Sequence, residues 1–113
     1  MQYSVIETLE AVDDVINFAS YMIREFKNQK AADDFLDRYD DEVKKLGFFP
    51  TGYRGIGLEY RGYEIRIKPF GTYNIFFVID YAEPKVIILR VLKDRQNWND
   101  ILQLQVTYHF DNL

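Results

Sequence analysis

Three runs near the C-terminal half constrain the fold most: "YEIRIKPF" (63–70), "YNIFFVID" (73–80) and "KVIILRVL" (85–92). Each is rich in β-branched and aromatic residues and has strand length. The links between them are only "GT" (71–72) and "YAEP" (81–84), too short for a crossover, so the runs must form antiparallel hairpins. The first run alternates cleanly. Tyr63, Ile65 and Ile67 point one way, and Glu64, Arg66 and Lys68 the other. On the third run, strict alternation puts Ile88, Arg90 and Leu92 on one face. Arg90 is then expected on the open face of the sheet beside Arg66 and Lys68, or tied to Glu64 or Asp80 as a structural ion pair.

The preceding half has a different period. A short strand is expected over 2–8. From Leu9 the apolar residues Val12, Val15, Ile16, Ala19, Met22, Ile23 and Phe26 fall at helical spacing, which predicts a helix ending near Asn28. A second helix is expected from Lys30 to Leu46, with Phe35, Leu36, Tyr39, Val43 and Leu46 inward and Gly47 as its C-cap. The acid run Asp33, Asp34, Asp37, Asp40, Asp41 and Glu42 reads as the solvated face of that helix. Residues 48–62 hold four glycines and read as loop. Residues 94–104 suggest a short helix with Trp98, Ile101 and Leu102 inward, followed by an extended "QVTYHF". The expected architecture is α+β: an N-terminal strand, an antiparallel helix hairpin, a three-stranded antiparallel meander (β-αα-βββ) and a short C-terminal helix, within a single domain over 1–113.

Composition narrows the chemistry. There is no cysteine, which excludes a disulfide scaffold, a thiol nucleophile and a thiolate metal site. With one histidine, a structural zinc site is not expected, and no metal or cofactor is. The glycines of 52–62 lack the lysine of a phosphate-binding loop. No apolar run approaches a membrane span and no leader is evident, so a soluble, cytoplasmic protein without membrane contact is expected. The net charge of −4 argues against a nonspecific nucleic-acid coat. The charge is uneven, however: residues 1–46 carry a net −5, and Arg54–Arg95 a net +3, a hint of two different surfaces.

The order of elements then meets specific stretches. "AADDFLDRYDDEVKKLGFFP" resembles the second helix of ParE-type toxins with its trailing Phe-Pro. "GYEIRIKPFGTYNIFFVID" resembles the paired central strands, and "VIILRVLKDRQNW" the final strand. From about Tyr3 to Leu102 the chain resembles the RelE/ParE superfamily of bacterial type II toxin–antitoxin systems, closer to the ParE-type pattern. That resemblance implies a growth inhibitor of the kind that stabilises plasmids, neutralised by a cognate antitoxin segment. ParE-like members poison DNA gyrase. RelE-like members cut messenger RNA in the ribosomal A site, using basic residues on the sheet.

Under the nuclease reading, Arg66, Lys68, Arg90 and Arg95 would be catalytic, with Tyr108 or His109 as acid or base. The match is partial. Glu64 stands where a cation is expected, Glu59 or Glu64 fits a general base only loosely, and Tyr73-Asn74 lacks the arginine that follows the turn tyrosine. Under the binding reading, Arg61, Arg66, Lys68, Tyr73, Arg90, Lys93 and Arg95 form the surface for an antitoxin or target. A non-toxic interaction module is the remaining alternative.

Overall fold

The computed structural model describes residues 2–111. The chain runs β1 (Ser4–Glu7), α1 (Leu9–Phe26), α2 (Gln29–Phe48), a 3-10 turn (Pro50–Gly52), β2 (Gly55–Tyr60), β3 (Tyr63–Phe70), β4 (Tyr73–Asp80), β5 (Lys85–Lys93) and α3 (Trp98–Leu104). The α+β class, the helix hairpin, the β3–β4–β5 meander and the short last helix all follow the sequence pattern. Thr8 caps α1 by accepting from the Ala11 amide at 3.1 Å, and Asn28 caps α2 by accepting from Ala31 at 3.0 Å. Between them Lys27 takes a left-handed turn (φ 49°), which folds α2 back along α1.

The sheet order is β1-β5-β4-β3-β2, with β1 parallel to β5 and the rest antiparallel. Both faces of this sheet are apolar. On one, Val15, Ala19, Phe35, Tyr39 and Leu46 of the helix hairpin pack on Phe70, Ile75, Phe77, Val86, Ile88 and Val91. On the other, Ile65, Ile67, Phe76, Val78, Leu89 and Leu92 are roofed by Trp98, Ile101 and Leu102 of α3 and by Tyr108 of the segment after it.

Two expectations are corrected. Residues 55–60 form a strand, not loop: Ile56, Leu58 and Tyr60 alternate with Gly55, Gly57 and Glu59 and join the second core. The glycines hid this period. Gly57 (φ 79°) falls where the β2–β3 register shifts, between Gly55 and Glu59. Gly47 is not a C-cap. It lies within α2, its carbonyl accepts from the Tyr3 amide at 2.7 Å, and a Cβ there would stand 3.2 Å from the Tyr3 carbonyl. A glycine lets the helix lie directly on the strand. Among the described residues, no helix is long and apolar enough to cross a membrane.

Candidate functional site

The basic residues of the sheet do not gather on an open face. On β3 it is Ile65 and Ile67 that face the second core, so Arg66 and Lys68 point toward the helix hairpin. Lys68 is buried and donates to the Glu42 carboxylate of α2, with its Nζ 4.9 Å from the Tyr53 ring centre. Arg66 donates to the Tyr53 carbonyl at 2.7 Å and lies 3.6 Å from Glu64. Glu42 therefore does not belong to the solvated acid face, whereas Asp33, Asp34, Asp37, Asp40 and Asp41 are exposed as expected. It occupies the apolar stripe position between Tyr39 and Leu46, which is the signal a closer reading of the spacing would have found.

Burial pushes the Glu42 carboxyl up, but the hydrogen bond and charge of Lys68, with Lys45 adding, outweigh it and hold the group below its ordinary 4.5. Burial likewise pulls the Lys68 ammonium down, and its hydrogen bond to Glu42 outweighs that and raises it above 10.5. A carboxyl lowered by folding stabilises the fold above its ordinary value, and that contribution is lost as pH falls through the folded value. A lysine raised by folding contributes below its ordinary value, and loses this as pH rises through the folded one. The pair thus holds across the neutral range. The melting temperature is expected to fall as pH drops below 4.5, and the Glu42→Leu/Lys68→Met variant to lose that part of the dependence in a thermal melt followed across acid pH.

Arg90 is also placed differently from the sequence expectation. β5 carries a bulge: Phe76 pairs with Arg90 and Phe77 with Ile88, leaving Leu89 between them. Arg90 then meets neither Glu64 nor Asp80. Its Nε and Nη2 donate to Asp14 of α1 at 2.7 and 2.8 Å, and the same carboxylate accepts from the Val91 amide at 2.9 Å. This hydrogen bond with Asp14, against the opposing effect of burial, raises the Arg90 pKa further. Tyr108 is buried with its hydroxyl unpartnered, and burial pushes it up to about 12. His109 faces Glu10 at 2.6 Å, at the start of α1.

Three of the residues singled out from sequence do come together, at the end of the sheet where β3 turns into β4. Lys93 stands 5.8 Å from the Phe18 ring centre, 6.0 Å from Tyr21 and 5.7 Å from Tyr73. This is cation–π geometry for an exposed ammonium. Burial raises the Tyr73 hydroxyl pKa. Beside this cluster, a cleft of about 330 Å³ is lined by Met22, Phe35, Arg38, Phe70 and Tyr73. It shares Thr72 with a second cleft, of about 380 Å³, formed by Lys93, Asp94 and Arg95. Asp94 is fixed there: its amide donates to the Thr72 carbonyl at 2.9 Å and its carboxylate accepts from Asn74 at 2.7 Å. Arg61 lies apart, in the β2–β3 turn at the other end of β3, over the Tyr60 ring. Sequence reasoning missed Phe18, Tyr21 and Arg38, because each sits on a helix whose apolar stripe was assigned wholly to the core.

With this geometry, the matched family can be placed. The model of the ParE toxin of type II toxin–antitoxin systems matches residues 5–98. The chain belongs to the ParE toxin family. The match takes in everything from β1 to the first residue of α3, so the second core's roof lies almost wholly outside it. Among solved structures, the chain is similar to one in the RelBE2 toxin–antitoxin complex of Mycobacterium tuberculosis (20% identity, TM-score 0.57, covering 82% of this chain and 99% of that one). It is also similar to one in the archaeal RelE–RelB complex of Pyrococcus horikoshii (19% identity, TM-score 0.52, covering 85% and 99%). At these identities the likeness speaks for a shared fold. No curated protein matches.

Proposed function

We propose that this ParE-family protein is a growth inhibitor that acts by binding a protein target of the gyrase type, and that a cognate antitoxin neutralises it. The observation that carries this reading is where the cations stand. Lys68 and Arg90 are tied to Glu42 and Asp14, and Arg66 is bound to the Tyr53 carbonyl. A nuclease would need such groups free to meet a phosphate, and an acid or base within reach of the reacting atoms. Tyr108 is buried under the roof of the second core and presents no open hydroxyl to a substrate.

What remains for contact is the end cluster. Tyr73, Lys93 and Arg95, with Phe18, Tyr21 and the neighbouring cleft, offer an aromatic surface edged by positive charge. Such a surface suits a partner segment that brings an apolar anchor and carboxylates. The two solved structures named above are a RelBE2 toxin–antitoxin complex and a RelE–RelB complex, which supports a protein partner of that kind here.

The test is induced expression in a bacterial host, with growth, DNA supercoiling and message integrity followed together. Growth arrest with altered supercoiling and intact messages is expected. Cleavage of messages in the A site would overturn the reading. The Lys93→Glu/Arg95→Glu variant is expected to lose target affinity by about 10- to 100-fold and to relieve the arrest. Its melting temperature should fall only slightly, since both side chains are exposed and only the cation–π contacts of Lys93 are lost.

A further inference from the structure

The cleft beside the end cluster has a cation at each end of its aromatic floor. Phe70, Tyr73 and Lys93 are cross-strand neighbours on β3, β4 and β5, so they form one row across the sheet. The Phe70 and Tyr73 rings stack at 5.5 Å, and Phe35 of α2 packs on both, at 6.1 and 4.7 Å. Lys93 closes the row on the β5 side. On the β3 side Arg38 of α2 lies over the Phe70 ring, 5.8 Å from its centre. Its guanidinium rests against the β3–β4 turn, where a Cβ on Gly71 would come 3.4 Å from Nη1. Two strand spacings, roughly 10 Å, separate the ends of the row.

Among the described residues, no carboxylate stands within ion-pair distance of Arg38, Lys93 or Arg95. The nearby acids are engaged elsewhere. Asp34, one turn before Arg38 on α2, pairs with Lys30 at 2.8 Å, and Asp94 accepts from Asn74 at 2.7 Å. The rim is therefore positive on a chain whose net charge is −4. Arg38 is exposed, and its planar fork can take a carboxylate in two parallel bonds.

We propose that the cleft takes one large apolar side chain from an acidic segment of a partner protein, with a carboxylate on each side of it, one on Arg38 and the other on Lys93. This rests on the end cluster being the contact surface. It adds Arg38 to that surface, and it adds the order acid, large apolar, acid on the partner. At about 330 Å³ the cleft is at the small end of ligand pockets, which suits a single side chain. Cations at both ends of the row call for chain on both sides of the anchor, which a terminal residue lacks. An extended segment advances about 3.3 Å per residue, so acids within one or two positions of the anchor reach both ends.

The test is an NMR titration of the purified protein with a short acetylated, amidated peptide whose central tryptophan has two glutamates on each side. The amides of Gly71, Thr72 and Tyr73 are expected to shift, with a dissociation constant on the order of 0.1–1 mM. Arg38→Glu should weaken binding about tenfold, and Arg38→Lys, which keeps the charge but loses the fork, about threefold. Both variants should melt close to wild type, because the side chain is exposed. Moving all the glutamates to one side of the tryptophan should weaken binding about threefold or more. Equal binding of that one-sided peptide, or of a peptide with serine at the centre, would overturn the proposal. So would an absence of binding at about several millimolar, shifts confined to other faces, or tighter binding of a peptide that ends in a free tryptophan carboxylate. The titration involves neither host nor target. Growth arrest that survives Lys93→Glu/Arg95→Glu would sink the reading of the target surface, whereas a peptide indifferent to Arg38→Glu sinks only this one.

Discussion

Lys68→Ala is expected to destabilise the protein by about 3–5 kcal/mol, measured by urea denaturation at neutral pH. The loss does not come from an unusually strong attraction. The Lys68 and Glu42 side chains are 6% and 10% exposed, so both have given up most of their water to meet each other. Removing the ammonium leaves Glu42 buried on α2 with only Lys45, at 3.5 Å and largely exposed, to answer it. Removing both charges should be far milder: Glu42→Leu with Lys68→Met keeps the volume, and stability within about 1–2 kcal/mol of wild type is expected. If the double variant is as unstable as Lys68→Ala, the cost lies in packing against Tyr53 and not in the stranded charge.

The second large effect is expected at Asp14. Its carboxylate satisfies two groups at once, the Arg90 guanidinium and the Val91 amide. Asp14→Ala should cost about 3–5 kcal/mol, because it strands a partly buried arginine and orphans a strand amide. Asp14→Asn keeps an acceptor oxygen for one of them and should cost less, on the order of 1.5–3 kcal/mol. Hydrogen exchange at Val91 separates this from general loosening. The amide should exchange faster in Asp14→Ala than its neighbours Ile88 and Leu92 do. Uniform acceleration across β5 would instead mean that the helix had shifted.

The elements of this fold were legible because their periods were clean. The helices showed a spacing of three and four, the β3–β5 runs showed strand composition, and two short links forced the meander. Strand β2 was hidden because two of its six positions, Gly55 and Gly57, are glycine and offer no side chain to alternate with Ile56 and Leu58. The site was harder to read, for two physical reasons. Alternation along β3 says that Ile65 and Ile67 share a face but not which face. With both faces of the sheet covered, neither side chemistry nor charge picks the outer one. On β5 the bulge at Leu89 takes Arg90 out of strict alternation, and no residue type announces it. The partners were also invisible at the level of the strands, since Asp14 and Glu42 sit on helices and look like ordinary surface acids unless their stripe positions are counted. The end cluster was half legible. Tyr73, Lys93 and Arg95 stood out in the sequence, while Phe18, Tyr21 and Arg38 reach them only through the tertiary fold.

The parallel pairing of β1 with β5 also has a temporal side. Thr8 donates to the Leu89 carbonyl and Asp14 binds Arg90, so the first strand and first helix are finished by residues that leave the ribosome about 80 positions later. The helix hairpin needs only near neighbours in sequence and can assemble early, whereas the sheet cannot close until β5 has been made. Lys93 and Arg95 come at that same late moment. A nascent chain therefore carries the helix hairpin well before it carries the end cluster, and a truncated product ending before β5 would have the hairpin without the surface proposed to act.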